Sequence, residues 1–213
     1  MIRGVIFDLD GVIVSTDEFH FQAWQRLAQE EGIPFSRQDN EQLKGVSRME
    51  SLEIILRQSP KSFAAKAKEQ MAERKNSYYR ELLRNLSPTD VLPGVLSFLK
   101  ILRARQIHPA IGSSSKNAAP ILKAIGLSEA FVAIADGTMI KNSKPHPEVF
   151  LLAASLMGLQ PKDCLVVEDA EAGVEAGLAA GMKVLAVGSA SVLPKATFRA
   201  DDLSQVSPDQ ILT

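Results

Sequence analysis

The sequence predicts an α/β protein: a doubly wound parallel sheet of the Rossmann-like kind, with an all-helical segment inserted after the first strand. Three observations support this class. A short apolar run, Val5–Phe7, opens the chain, strands and helices alternate after Ser87, and residues 15–87 carry helical periodicity alone. Strands that alternate with helices form parallel sheets covered on both faces. We therefore expect a catalytic core from residues 1–14 and 88–213, and a helical cap from 15–87.

Length, composition and charge place the chain among ordinary globular enzymes. It has 213 residues, 46% of them hydrophobic, and a net charge of −1, so neither a polyanion nor a membrane surface is indicated as a partner. The single cysteine, Cys164, excludes an internal disulfide, and its place at the start of an apolar run predicts a buried thiol. No apolar run reaches the roughly 20 residues that cross a bilayer, and the N-terminal strand leaves no room for a signal peptide. We expect a cytoplasmic monomer.

The inserted segment predicts three helices. Ser15 and Glu18 have the spacing of a capping box, which predicts a helix that begins there and ends at Gly32. Ser47 and Glu50 form a second such pair before another helix. Apolar residues at helical spacing predict a third from about residue 63 to 86.

The remainder of the chain alternates. Helices are predicted at 94–105, 117–125, 147–157 and 170–180, and strands at 107–111, 131–135, 165–167 and 183–187. The tail from Val192 onward is short and weakly patterned.

The first strand ends in two carboxylates, Asp8 and Asp10. Residues i and i+2 of an extended chain point to the same side, so both would face a crevice at the carboxyl end of the sheet, where α/β folds bind ligands. Gly11 would allow a sharp turn there. A solvated acidic turn is the simpler alternative. A calcium loop is excluded because Val12 and Val14 stand where it needs oxygen ligands.

Three further chain segments carry polar residues that a core does not need. They are the turn Gly112–Asn117, the pair Lys144-Pro145, and the pair Glu168-Asp169 after an apolar strand. Serine hydroxyls and free N–H groups at a helix start favour an anion, and clustered carboxylates favour a hard cation such as Mg²⁺. Taken separately, a helix cap, a surface lysine and a solvated acidic pair are the alternatives. Together they predict a phosphoryl-transfer site.

With these four motifs in order, the chain resembles the haloacid dehalogenase superfamily of phosphotransferases. The resemblance implies that Asp8 is the nucleophile and Asp10 the general acid and base. It implies that Ser113 and Lys144 hold the transferring phosphoryl group. It also implies one Mg²⁺ bound by Asp8, the backbone carbonyl of Asp10, Glu168 and Asp169.

The helical segment is similar to the small cap of the sugar-phosphate mutases in this superfamily. The resemblance implies these substrate-binding residues: Thr16, His20, Trp24, Lys44, Gly45, Val46, Arg48, Ser51, Lys75, Ser115, Lys116 and Asn117. Residues 45–48 also suit a second phosphate on chemical grounds, because they combine helix-start N–H groups with a guanidinium. An ion-paired Arg48 and a packed Trp24 are the structural alternatives.

The resemblance implies an intramolecular phosphotransferase. Its substrates would be β-D-glucose 1-phosphate and glucose 6-phosphate, with an aspartyl-phosphate enzyme and β-glucose 1,6-bisphosphate as intermediate and activator. Two alternatives remain: a Mg²⁺-dependent sugar-phosphate phosphatase with the same core residues, and a receiver-type module that stores phosphate on an aspartate. The chain departs from the family's pattern at Val14-Ser15, where the cap would hinge.

Overall fold

The computed structural model describes residues 1–213 and contains one six-stranded sheet, in the order β3-β2-β1-β4-β5-β6. All its strand pairs are parallel. The strands are β1 (Gly4–Phe7), β2 (His108–Gly112), β3 (Ala133–Ala135), β4 (Cys164–Glu168), β5 (Lys183–Ala186) and β6 (Phe198–Arg199). The predicted α/β class is confirmed.

Nine α-helices accompany the sheet, and five of them lie between β1 and β2. They are α1 (Asp17–Glu31), α2 (Arg37–Glu41), α3 (Arg48–Leu56), α4 (Ala65–Leu82), α5 (Val95–Ala104), α6 (Ala118–Ala124), α7 (Glu148–Leu156), α8 (Glu171–Ala179) and α9 (Pro208–Ile211). No helix is both long enough and apolar enough to span a bilayer.

The first strand occupies the middle of the sheet. Phe7 lies opposite Ile111 of β2 on one side and Val167 of β4 on the other. The residues that follow β1, β2 and β4 therefore emerge together at the carboxyl edge, at the point where the strand order reverses direction. Ligands bind at this point in open α/β sheets.

The sheet separates two apolar cores, and a third lies among the inserted helices. Phe7 packs in the cluster that contains Phe98, whereas its neighbour Ile6 packs in the cluster that contains Phe150. This alternation follows from the two-residue period of a strand buried on both faces. Trp24 belongs to the third cluster. The division into core and cap stays a prediction, and Tyr79 of α4 packs with the cluster of Phe7.

The predicted capping box at the start of α1 is wrong. Thr16, not Ser15, occupies the N-cap position, and no side chain caps the helix. The Thr16 hydroxyl instead donates a hydrogen bond to the side chain of Asp10. It is therefore not used to cap the helix. Gly32 ends the helix in the left-handed conformation, as predicted. The predicted box of Ser47 and Glu50 is confirmed.

Three elements escaped the sequence pattern: α2, α9 and β6. Helix α9 has four residues and lies, like β6, in the weakly patterned tail. Helix α2 has five residues, too few for a periodic signal, and is fixed by a capping box between Ser36 and Asp39. Strand β6 has two residues and pairs with β5, so the weakly patterned tail extends the sheet. Elsewhere the predicted elements are present with ends that shift by a few residues, which is usual for sequence-based boundaries.

Candidate active site

Three buried carboxylates meet at the carboxyl edge of the sheet. Asp8 directly follows β1, Glu168 ends β4, and Asp169 follows it. Oxygen atoms of the three side chains lie within 4.8 Å of one another. Gly11 permits this approach because a Cβ at that position would lie 2.1 Å from Oδ2 of Asp169.

A buried lysine joins two of these acids. Nζ of Lys144, which is fully buried, contacts Asp8 and Glu168. Burial opposes its positive charge, but the two carboxylates hold the pKa of Lys144 above its usual value. Burial raises the pKa of Asp8 to about 8, against the lowering effect of the lysine. Burial and the charge of Glu168 raise the pKa of Asp169 to about 9.

Glu168 is held by several donors at once. One of its oxygens contacts Lys144, and the other accepts hydrogen bonds of 3.0 Å from the backbone N–H groups of Asp169 and Ala170. The carboxylate lies against Gly173 of α8, where a Cβ would be 1.9 Å away. Since a carboxylate has about four acceptor positions, Glu168 retains one for a further ligand.

Asp10 lies beside this cluster and faces the cleft. The Thr16 hydroxyl donates to it and accepts a 3.1 Å hydrogen bond from Tyr79. Burial and the nearby charge of Asp17 raise the pKa of Asp10 to about 6, and the Thr16 hydrogen bond partly offsets the rise. The chain Tyr79–Thr16–Asp10 therefore fixes the orientation of a carboxyl group that can exchange a proton near neutral pH.

His20, which is partly buried, and Lys75, which is fully buried, form a second pair, contributed by α1 and α4. Nδ1 of His20 lies 2.9 Å from Nζ of Lys75, and the ammonium also lies over the rings of Trp24 and Tyr79. Burial and the charge of Arg48 lower the pKa of Lys75, and burial with the charge of Lys75 lowers that of His20. This cation has aromatic faces around it and no carboxylate in contact.

These groups surround a cavity of about 480 Å³ between the sheet edge and the inserted helices, a size typical of small-molecule sites. The sequence-predicted site residues that line it are Asp8, Asp10, His20, Trp24, Lys44, Gly45, Val46, Arg48, Ser51, Lys75, Ser113, Ser115, Lys116, Asn117 and Asp169. Thr16, Lys144 and Glu168 lie behind its wall and contact the lining carboxylates.

The serine-rich turn after β2 is ordered by its own hydroxyls. Oγ of Ser113 accepts from the N–H of Ser115, and Oγ of Ser115 accepts from the N–H of Asn117. The turn also contacts the inserted helices: Asn117 bonds Asn76 at 3.1 Å, and Ser114 bonds the Gly45 carbonyl at 3.2 Å. Two hydrogen bonds therefore connect the turn after β2 to the inserted helices on this side of the cavity.

Cations from the inserted helices complete the lining. Arg48, at the start of α3, pairs with Glu73 at 3.3 Å. Lys44 pairs with Asp17 and Glu41, both at 3.0 Å. Arg48 is thus ion-paired, as the structural alternative predicted, and also lines the cavity; its role in substrate binding stays a prediction.

The three-carboxylate cluster fits a divalent cation. Only Lys144 balances its negative charge, and no hydrogen-bond donor contacts the Asp169 carboxylate. Hard oxygen donors in this number are the ligand set that Mg²⁺ prefers. The predicted gathering of acids from the ends of β1 and β4 is therefore present.

Sequence reasoning missed several lining residues. Asp17, Asn40 and Tyr79 are among them. Asp17 was assigned to the first turn of a helix, and Asn40 lies on the helix that the pattern did not reveal. Tyr79 was hidden in an apolar helix face, where a hydroxyl that reaches a threonine leaves no spacing signal.

The architecture and the site define the class of protein. Residues 2–181 match the model of the haloacid dehalogenase-like hydrolase family, and the chain belongs to this family. Its cap-side residues point to particular relatives. It is 43% identical to β-phosphoglucomutase of Bacillus subtilis, over 88% of this chain and 84% of the relative.

Two other comparisons bear on the activity. The crystal structure of β-phosphoglucomutase from Clostridium difficile superposes with a TM-score of 0.94 at 42% identity, covering 99% of this chain and 96% of the other. A phosphorylated carbohydrates phosphatase of Thermotoga maritima is 30% identical over 99% of this chain and 97% of its own length. The chain is a homologue of enzymes named for sugar phosphates.

Proposed function

We propose that this protein is a β-phosphoglucomutase, an isomerase that interconverts β-D-glucose 1-phosphate and glucose 6-phosphate through β-glucose 1,6-bisphosphate. The observation that carries the proposal is one cavity with anion-binding groups at both ends. Ser113 lies beside Asp8 at the sheet end, and Arg48 lies at the helical end. A bisphosphate needs two such ends. The relatives in Bacillus subtilis and Clostridium difficile support the same activity.

Asp8 is the proposed nucleophile. Lys144 contacts its Oδ1, which leaves Oδ2 to attack phosphorus. Attack on the 1-phosphate of β-glucose 1,6-bisphosphate breaks its P–O bond to the sugar as the O–P bond to Asp8 forms, which gives an aspartyl phosphate and releases glucose 6-phosphate. The 6-hydroxyl of β-glucose 1-phosphate then attacks the phosphorus, which breaks the O–P bond to Asp8 and forms the bisphosphate again. Ser113 and Lys144 would hold the phosphoryl oxygens during both steps.

Asp10 is the proposed general acid and base. In the first transfer it gives its proton to the departing sugar oxygen, and in the second it takes one from the attacking hydroxyl. A pKa of about 6 serves both roles because the group is populated in each form near neutral pH. Thr16 orients it through the hydrogen bond described above.

Mg²⁺ is the proposed cofactor. Asp8, Glu168, Asp169 and the backbone carbonyl of Asp10 would hold it, and when bound it neutralises charge on the transferring phosphoryl oxygens. Lys144, which contacts Asp8, would supply further positive charge to the same oxygens.

The second phosphate would bind at the helical end. Ser47 accepts from the N–H of Glu50, but the N–H groups of Arg48 and Met49 at the start of α3 have no acceptor within the helix. Arg48 also lines the cavity with its guanidinium-bearing side chain. Lys75, Lys116 and Asn117 line the same cavity. Arg48 would exchange its partner Glu73 for the phosphate, a better charge match in a bidentate geometry.

A sugar-phosphate phosphatase is the second candidate, favoured by the Thermotoga maritima relative. The two activities differ in whether a sugar hydroxyl or water attacks the aspartyl phosphate. Incubation with β-glucose 1-phosphate, Mg²⁺ and a trace of the bisphosphate separates them. Glucose 6-phosphate as the product supports the mutase, and free phosphate with glucose refutes it.

A further inference from the structure

Helix α2 buries a single side chain, and that side chain is polar. The helix spans Arg37–Glu41 and Asn40 is its one buried residue, 8% exposed. A short helix is normally anchored by an apolar residue, because apolar burial is the main source of helical stability in proteins. Here the Ser36–Asp39 capping box and a 2.9 Å hydrogen bond from Gln58 to Asp39 fix the helix instead.

The Asn40 amide has no partner within the protein. Its backbone is bonded to Ser36 and Leu43, but its side chain makes no hydrogen bond. The one fully enclosed side-chain atom without a partner is Nε of Arg74. The amide of Asn40 is therefore open to the cavity that the residue lines. Buried amides are almost always paired, so this one is available to whatever fills the cavity.

A second free group lines the same cavity. Ser51 of α3 is 4% exposed, lines the cavity, and its hydroxyl makes no hydrogen bond. The nearby cations differ, because Lys44 and Arg48 are engaged with carboxylates. Neutral groups that both donate and accept match sugar hydroxyls, which do the same, and match phosphates poorly.

We propose that Asn40 is a specificity-determining residue that binds a ring hydroxyl of the sugar through its side-chain amide, with Ser51 as a further polar group that lines the same cavity. This assignment rests on the proposed function only in taking the substrate to be a sugar phosphate. It makes α2 the element that selects the sugar, while Arg48 and Ser113 bind the charged groups. A site built to hydrogen-bond a hydroxyl rejects analogues that lack it, because its own buried group is then left unpaired.

The test compares Asn40→Leu with Gln42→Leu, an equivalent amide-to-leucine change at an exposed position two residues on, outside the cavity. Turnover is measured with β-glucose 1-phosphate and with its 2-, 3- and 4-deoxy analogues. Phosphorylation of Asp8 by acetyl phosphate, which carries no sugar, is measured in parallel with the Tm.

We expect Asn40→Leu to raise KM for the glucose substrate at least about tenfold and to leave acetyl phosphate reaction and Tm unchanged. With one of the deoxy analogues, the KM of the wild-type enzyme rises by about the same factor, and the KM of the variant rises no further. Gln42→Leu behaves as wild type. If leucine prevents folding, Asn40→Ser is carried through the same measurements.

An unchanged KM in the variant overturns the proposal. A variant whose KM rises further with each of the three deoxy analogues overturns it as well. A lowered Tm with an unchanged KM identifies a structural residue and also overturns it. A wild-type enzyme that reacts with acetyl phosphate but with no sugar phosphate refutes the proposed function itself, which is a separate result.

Discussion

The side-chain amide of Asn117, in the turn after β2, donates a 3.1 Å hydrogen bond to the side-chain carbonyl of Asn76 on α4. Both residues are buried. Both residues also line the cavity. The bond therefore connects the turn after β2 to the inserted helices at the cavity.

Asn76→Ala should weaken the closed arrangement. The loss of one buried hydrogen bond is worth about 1 kcal/mol, which predicts about a fivefold rise in KM for β-glucose 1-phosphate with kcat nearly unchanged. Small-angle X-ray scattering should report a larger radius of gyration. Ser77→Ala is the control, since its hydroxyl bonds only within α4. An unchanged KM would show that closure does not depend on this bond.

Asp8→Asn should abolish turnover and the aspartyl phosphate, which intact-mass spectrometry detects. The fold should persist, and the metal-free Tm should not fall, because the change removes one of three carboxylates that share a single lysine. A variant that still turns over would remove Asp8 from the role of nucleophile.

Mg²⁺ should stabilise the protein through the carboxylate cluster. At about 100 times its Kd, a ligand adds about 2.7 kcal/mol, which corresponds to a Tm rise of about 5–10 °C for a chain of this length. Asp169→Asn should abolish most of the rise and leave the metal-free Tm equal or higher, because burial disfavours its charge. Thermal unfolding with Mg²⁺ or with EDTA measures both. An equal rise in wild type and variant would place the cation elsewhere.

Arg48→Ala should reduce turnover of the sugar phosphate about a hundredfold or more, as expected for the loss of a charge-assisted hydrogen bond to phosphate. Phosphorylation of Asp8 by acetyl phosphate should change little, since that donor does not reach the helical end. Arg57→Ala, at the exposed end of the same helix, is the matched control. Equal losses in the two reactions would argue against a second phosphate site.

His20 should remain neutral across the physiological pH range. Burial and the charge of Lys75 lower its pKa well below 6.5. A base whose pKa is lower in the folded state binds fewer protons there than in the unfolded state. Its contribution to the free energy of unfolding is therefore present above about pH 6.5 and is lost as the pH falls below that value. NMR of the three imidazoles from pH 8 to 5.5 tests this. A His20 resonance that titrates near 6.5 would contradict it.

The sequence made the sheet edge accessible to prediction because its signals are local. Asp8, Ser113, Lys144 and Glu168 each follow or end a recognisable element, and parallel strands bring their carboxyl ends to one edge. The roles of these residues stay predictions. What could not be predicted depends on partners far apart in the chain: the Lys144–Glu168 contact, the Tyr79–Thr16–Asp10 chain and the Asn76–Asn117 bond.

The errors have the same origin. Ser15 was assigned as a cap because spacing shows which groups can bond, not which partner prevails, and Thr16 serves a carboxylate instead of the helix. Asn40 was overlooked because its helix is one and a half turns long and its amide is unpaired. The spacing of apolar residues does not reveal a polar side chain that has no hydrogen-bond partner within the protein.

The central position of β1 has a consequence for how the chain is made. Phe7 pairs with Val167, so about 160 residues must be added before the strand acquires its second neighbour. At ribosomal rates of 5–20 residues per second, this takes roughly 8 to 30 s. During that interval the apolar strand β1 has an edge without a partner. We therefore expect chaperones to bind the nascent chain through its N-terminal strand, and a chain cut short before β4 to expose that strand.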